Sequence, residues 1–119
     1  MPDPRESLCY ALDVSSAAEA EAQVERLAPH VGLFKVGLQL FLREGPALIR
    51  SIHERGARRI FLDLKLLDIP RTVHQARRSA GEMPVEFLTV HCEGLAGGTV
   101  AGGDEAARPL PRVLAVTLL

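Results

Sequence analysis

A chain of 119 residues with 14 basic against 15 acidic side chains carries a formal net charge of −1, and 47% of it is apolar with 4% aromatic. That balance excludes a disordered segment and offers no basic stripe for nucleic acid, because the arginines alternate with acids. No apolar stretch approaches the roughly 18 to 20 residues of a membrane span, and the opening MPDPRES lacks the build of a signal peptide, so a cytoplasmic protein without nucleic-acid or membrane partners is expected.

The first apolar run, LCYALDV from Leu8, has the length of a strand. After it, Ser15 and Ser16 can cap a helix whose apolar side chains Ala20, Val24, Leu27 and Ala28 share one face. The second run, VGLFKVG from Val31, leads into a linker with Leu48, Ile49 and Ile52 in helical phase and a glycine stop at Gly56. RIFLDLKL from Arg59 is the third run, and the helix after it opens at Pro70 with Val73, Ala76 and Ala80 aligned. The fourth, EFLTVHC from Glu86, precedes a glycine-rich stretch, Gly94 to Gly103, that predicts a weak helix or a loop and fits neither a P-loop nor a dinucleotide fingerprint. RVLAVTLL, from Arg112 to Leu119, is the fifth. Cys9 and Cys92 fall inside apolar runs without CxxC spacing, which predicts small buried thiols and no disulfide or metal pair.

These runs are continuous rather than alternating, as in parallel strands covered on both faces, and their starts recur every ~25 residues, the spacing of right-handed βαβ crossovers. Two α/β folds share this unit. A doubly wound five-stranded domain closes in roughly 120 residues and a (β/α)8 barrel in about 250, so length favours the former. The ending favours the latter: Leu118 and Leu119 lie in or just after the fifth strand, with no helix to cover its apolar edge. The chain therefore reads as one α/β domain over residues 1–119, cut after strand five, with both folds still open on these signals.

Charges punctuate these apolar strands. Asp63 and Lys65 are two apart in FLDLK, so simple strand alternation projects them to one side within reach of each other. Burying such a pair costs several kcal/mol per ion before pairing offsets it, which favours a functional reason over a stabilising one. Asp13 ends the first strand, Lys35 lies in the second, and Asp68 follows the third just before Ile69 and Pro70. The ring they form sits at the carboxyl ends of consecutive parallel strands, where α/β folds build their sites. Alternating ammonium and carboxylate groups keep each lysine charged and positioned, an arrangement suited to stabilising and protonating a carbanion without metal or organic cofactor. Asp68 alone also suits a helix N-terminal acid.

KVG on strand two and DLKxxDIPxT on strand three resemble the orotidine 5'-phosphate decarboxylase family. ALD on strand one, VH on strand four and AVTLL on strand five fall at its spacings, so the resemblance covers Leu8 to Leu119. Decarboxylases and aldolases of hexulose phosphates share the D-x-K-x-x-D core, but DIPRT is similar to the orotidine enzyme. The resemblance implies a cofactor-free carboxy-lyase that converts orotidine 5'-monophosphate to uridine 5'-monophosphate in pyrimidine biosynthesis. It makes Lys65 the proton donor, sets Asp63 against the substrate carboxylate, has Lys35 bridge Asp63 and a ribose hydroxyl, and gives ribose binding to Asp13. Asp68, Ile69 and Thr72 are then expected to reach into the site of a second subunit of a homodimer. His91 reads as a structural residue ending its strand, and His30, His53 and His74 as surface positions.

The resemblance also implies a (β/α)8 TIM barrel, of which residues 1–119 are expected to form a single partial domain of about four and a half βα units truncated after strand five. The family's pyrimidine-recognising serine falls just after TLL, and its phosphate-gripping loops come from the last two barrel units. Neither is present in this sequence, so the chain alone is expected to be inactive or nearly so. A magnesium-dependent hexulose-phosphate enzyme is the rival reading. A five-stranded receiver-type signalling module is the more remote one, because strand one offers Asp13 alone and strand five carries no lysine.

Overall fold

Five strands, β1 (Cys9–Ala11), β2 (Leu33–Gly37), β3 (Ile60–Leu66), β4 (Phe87–His91) and β5 (Arg112–Val116), pair in parallel in their chain order in the computed structural model. The structure describes residues 1–95 and 109–119, so most of the Gly94 to Gly103 expectation lies outside the described residues. Strand order decides between the two folds. A doubly wound sheet reverses direction at a switch point, whereas each crossover here steps onward to the next position, as in a barrel wall. The receiver-type alternative is thereby removed.

Helix α1 (Ala17–Leu27) starts at Ser16, whose hydroxyl accepts the Glu19 N–H at 3.2 Å, and it buries Ala20 and Val24. In the second linker Leu48, Ile49 and Ile52 are buried by one helix as their phase predicts, and a further short helix precedes it. Leu38–Glu44 forms α2 and Pro46–Glu54 forms α3, with Gly45 between them at φ 70, a conformation open to glycine and strained for other residues. Helix α4 (Pro70–Ala80) begins at its proline and buries Val73 and Ala80. No helix among the described residues is long and apolar enough to cross a membrane.

Alternation along the strands divides the sheet into two faces. Leu12, Phe34, Val36, Ile60, Leu62, Leu88 and Val90 are buried and pack with Val24, Leu40, Ile49, Ile52 and Val73 from the helices. Each such side chain contributes about 1.5 to 3 kcal/mol by leaving water. The opposite face carries Lys35, Asp63 and Thr89. This corrects the expectation for the two thiols: Cys9 and Cys92 are both free and exposed. Cys9 pairs with Leu33 and so shares the face of Lys35, while Cys92 has already left β4 for a 3-10 turn, Cys92–Leu95.

Ahead of the sheet, a 3-10 turn at Pro4–Ser7 crosses the amino-terminal ends of the strands, an element without a signal in the apolar pattern. It is tied down by Arg59, which donates to the Glu6 carbonyl at 2.9 Å, and by Arg5, which donates to the Pro29 carbonyl at 3.1 Å. At the same end Glu86 accepts from both Arg59 and Arg112, joining β3, β4 and β5.

Candidate active site

The carboxyl ends of β1 to β4 open into a cavity of about 680 Å³ whose lining includes Asp13, Glu19, Lys35, Asp63, Lys65 and His91. Asp63 is its centre. The Lys65 ammonium donates to both Asp63 oxygens at 2.9 Å, and the Lys35 ammonium lies 3.6 Å from Oδ2. Side-chain exposures of 10% for Asp63, 28% for Lys35 and 42% for Lys65 describe a buried carboxylate capped by two half-open cations. Burial alone would raise the Asp63 carboxyl above its ordinary value of 3.8, but hydrogen bonds from Lys65 and Thr89 and the charges of Lys65 and Lys35 hold it below that value.

The route by which Lys65 reaches Asp63 is not plain alternation. β3 and β4 stay in register through Leu62 and Leu88 and resume at Leu66 and Val90, so three residues of β3 stand where β4 has only Thr89. Lys65 lies in this bulge at φ 51, the sole non-glycine residue with positive φ among those described. Such excursions cost of order 1 to 3 kcal/mol and concentrate at functional sites.

The remaining predicted residues divide. Asp13 stands just beyond β1 on the cavity wall, its Oδ1 beside Gly37. Asp68 does not line this cavity; its Oδ1 accepts the neighbouring Ile69 N–H at 2.7 Å, and Ile69 is the residue that caps α4. Among the described residues neither Asp13 nor Asp68 forms an ion pair, so the array within the chain is Lys35, Asp63 and Lys65, a carboxylate between two ammoniums rather than the full alternation expected. Ile69 is 65% exposed, and Asp68 and Thr72 are exposed beside it. His91 is half-buried at the end of β4 on the cavity wall. His30 and His53 are exposed as expected, His53 with Nδ1 3.0 Å from the Ala57 carbonyl oxygen, whereas His74 is half-buried on α4.

One residue of the cluster escaped the charge pattern. Thr89 is 6% exposed, its hydroxyl donates to Asp63 Oδ1 at 2.8 Å, and it accepts the Lys65 backbone N–H at 2.9 Å. A lone hydroxyl inside the apolar run EFLTVHC was the available signal. No three of His, Cys, Asp and Glu gather among the described residues in a group able to hold a metal ion. The constellation can therefore fix one ammonium beside a reacting carbon, with a carboxylate held ionised against it.

The orotidine 5'-phosphate decarboxylase / HUMPS family model matches residues 6–119. The chain belongs to this family. A Desulfosudis oleivorans protein named orotidine 5'-phosphate decarboxylase is 46% identical over 117 residues, covering 98% of this chain and 47% of that protein. The protein of that name from Anaeromyxobacter sp. (strain K) is 50% identical over 116 residues, again 98% of this chain and 50% of the relative. The chain thus spans about half the length of these curated relatives. Among solved structures, orotidine 5'-phosphate decarboxylase from Lactobacillus acidophilus superposes with a TM-score of 0.76 at 33% identity, over 94% of this chain and 53% of that one. Orotidine 5'-monophosphate decarboxylase from Methanocaldococcus jannaschii, complexed with the inhibitor BMP, gives 0.67 at 29% identity over 73% and 40%. With its five consecutive parallel strands, the chain forms part of the family's barrel.

Proposed function

We propose that this chain supplies the catalytic half of an orotidine 5'-monophosphate decarboxylase, a cytoplasmic enzyme of pyrimidine synthesis that works without a cofactor. The observation that carries the reading is the Lys65 ammonium held on both oxygens of an ionised, buried Asp63 that lines the cavity. The names of the curated relatives support the substrate.

In this reading the substrate carboxylate lies against Asp63, whose negative charge disfavours the ground state as the bond to pyrimidine C6 breaks. Carbon dioxide leaves, and the bonding electron pair stays on C6, where the Lys65 ammonium stabilises it. Lys65 then gives one proton to C6, forming uridine 5'-monophosphate, and recovers a proton from solvent. Lys35 pairs with Asp63 Oδ2 and takes a ribose hydroxyl, and Asp13 binds the ribose. Asp68, Ile69 and Thr72, exposed on the loop and first turn of α4, act in the site of a second subunit.

Loss of orotidine monophosphate absorbance provides the test. The 119-residue chain alone is expected to give no turnover, and the same chain joined to the carboxyl-terminal half of the Anaeromyxobacter relative is expected to decarboxylate. Normal turnover by the chain alone, or none by the completed barrel, overturns the proposal. Activity abolished by a chelator would assign the chain to magnesium-dependent hexulose-phosphate chemistry instead.

A further inference from the structure

We infer that Thr89 is a positioning residue for this site, setting the orientation of the Asp63 carboxylate and the Lys65 backbone through one hydroxyl. The inference deepens the decarboxylase reading and rests on it for the catalytic consequence alone.

The topology of the bulge isolates Thr89. Between the pairs Leu62 with Leu88 and Leu66 with Val90, β3 presents Asp63, Leu64 and Lys65 to a single residue of β4. The Lys65 N–H, in the left-handed stretch of backbone, donates to the Thr89 hydroxyl oxygen at 2.9 Å. A hydroxyl has one proton and two lone pairs. With a lone pair committed to Lys65, its proton is directed to Asp63 Oδ1 at 2.8 Å, the same oxygen that Lys65 Nζ approaches at 2.9 Å. One side chain therefore couples the backbone that aims the ammonium to the carboxylate that receives it. Thr89 is buried, so water is poorly placed to replace that hydroxyl.

A threonine that merely filled space would be replaced by isosteric valine without consequence at Asp63. The distinguishing readout is the titration of the Asp63 carboxyl carbon by NMR in this chain, where the carboxylate is faced by Lys35 from β2, Lys65 from β3 and Thr89 from β4, with Asp13, Glu19 and His91 around the same cavity. Thr89→Val is expected to move the midpoint upward, and Thr89→Ser to keep it at the wild-type position. In the unaltered chain, the Thr89 hydroxyl proton is expected to exchange slowly with water and to shift as Asp63 titrates, a measurement that requires no variant. In the completed barrel, Thr89→Val is expected to lower kcat on the order of 10- to 100-fold with little change in KM, and Thr89→Ser to restore most of it. An unchanged Asp63 midpoint in Thr89→Val, or a hydroxyl signal indifferent to that titration, overturns the inference. A completed barrel without decarboxylase activity would instead sink the decarboxylase reading and leave the titration to decide the role of Thr89.

Discussion

Lys65 grips both carboxylate oxygens of Asp63 at 2.9 Å from a backbone conformation, φ 51, that strands do not normally contain. The contact and the conformation coincide in the bulge that breaks the β3 ladder between Leu62 and Leu66. The fold retains a strained residue where a regular strand would be cheaper, consistent with a site under functional constraint.

Separating strain from contact requires two variants. Lys65→Ala and Lys65→Gly remove the same ammonium, but only alanine keeps a Cβ in the left-handed region. Urea unfolding is expected to show Lys65→Gly more stable than Lys65→Ala by about 1 kcal/mol, and equal stabilities would mean that position 65 is unstrained. Both variants are expected to lose decarboxylation in the completed barrel.

Asp63 makes stability depend on acid. Its folded carboxyl lies below the ordinary 3.8, so its ion pairing stabilises the fold above that pH and is lost as pH falls through the lowered folded value. Asp63→Asn leaves Lys35 and Lys65 facing each other without a counter-charge. Wild type is expected to exceed Asp63→Asn in stability at pH 7, with the gap closing below 3.8, as followed by unfolding at several pH values. A gap that widened on acidification would contradict the assignment.

Gly32 is a matter of space. A Cβ there would lie 2.5 Å from the Glu6 Cα and 2.7 Å from its carbonyl oxygen, both backbone atoms of the 3-10 turn that crosses the strand ends. Gly32→Ala is expected to destabilise the chain by about 1 to 3 kcal/mol and to loosen residues 3–8, seen as faster amide exchange there while the β3 and β4 amides stay protected.

At Gly45 the cost is conformational. Nothing lies within 4 Å of a Cβ built there, yet φ is 70. Gly45→Ala is expected to cost about 1 to 2 kcal/mol in thermal or urea unfolding, through the backbone alone, without disturbing the cavity. A neutral substitution would show that the break between α2 and α3 can be made another way.

Much of the architecture was legible because it is local. Apolar runs of strand length, the Ser16 cap, the Pro70 start and the Gly56 stop act through neighbouring residues, and each is found where expected. Lys35, Asp63 and Lys65 stood out because charges are costly inside apolar strands, and the fold does bring them together. Helix α2 was harder to read, since it buries Leu40 alone over its seven residues.

By itself the sequence determined the parallel βα units, the charged cluster and the family, all of which follow from residue type and spacing along one segment at a time. Only the tertiary structure decided the onward strand order, the exposure of Cys9 and the role of Thr89. The reason is physical. Which strand lies beside which, and which face stays uncovered, depends on pairings between distant segments. A threonine in a strand has no distinction of its own until the bulge 26 residues earlier is set against it.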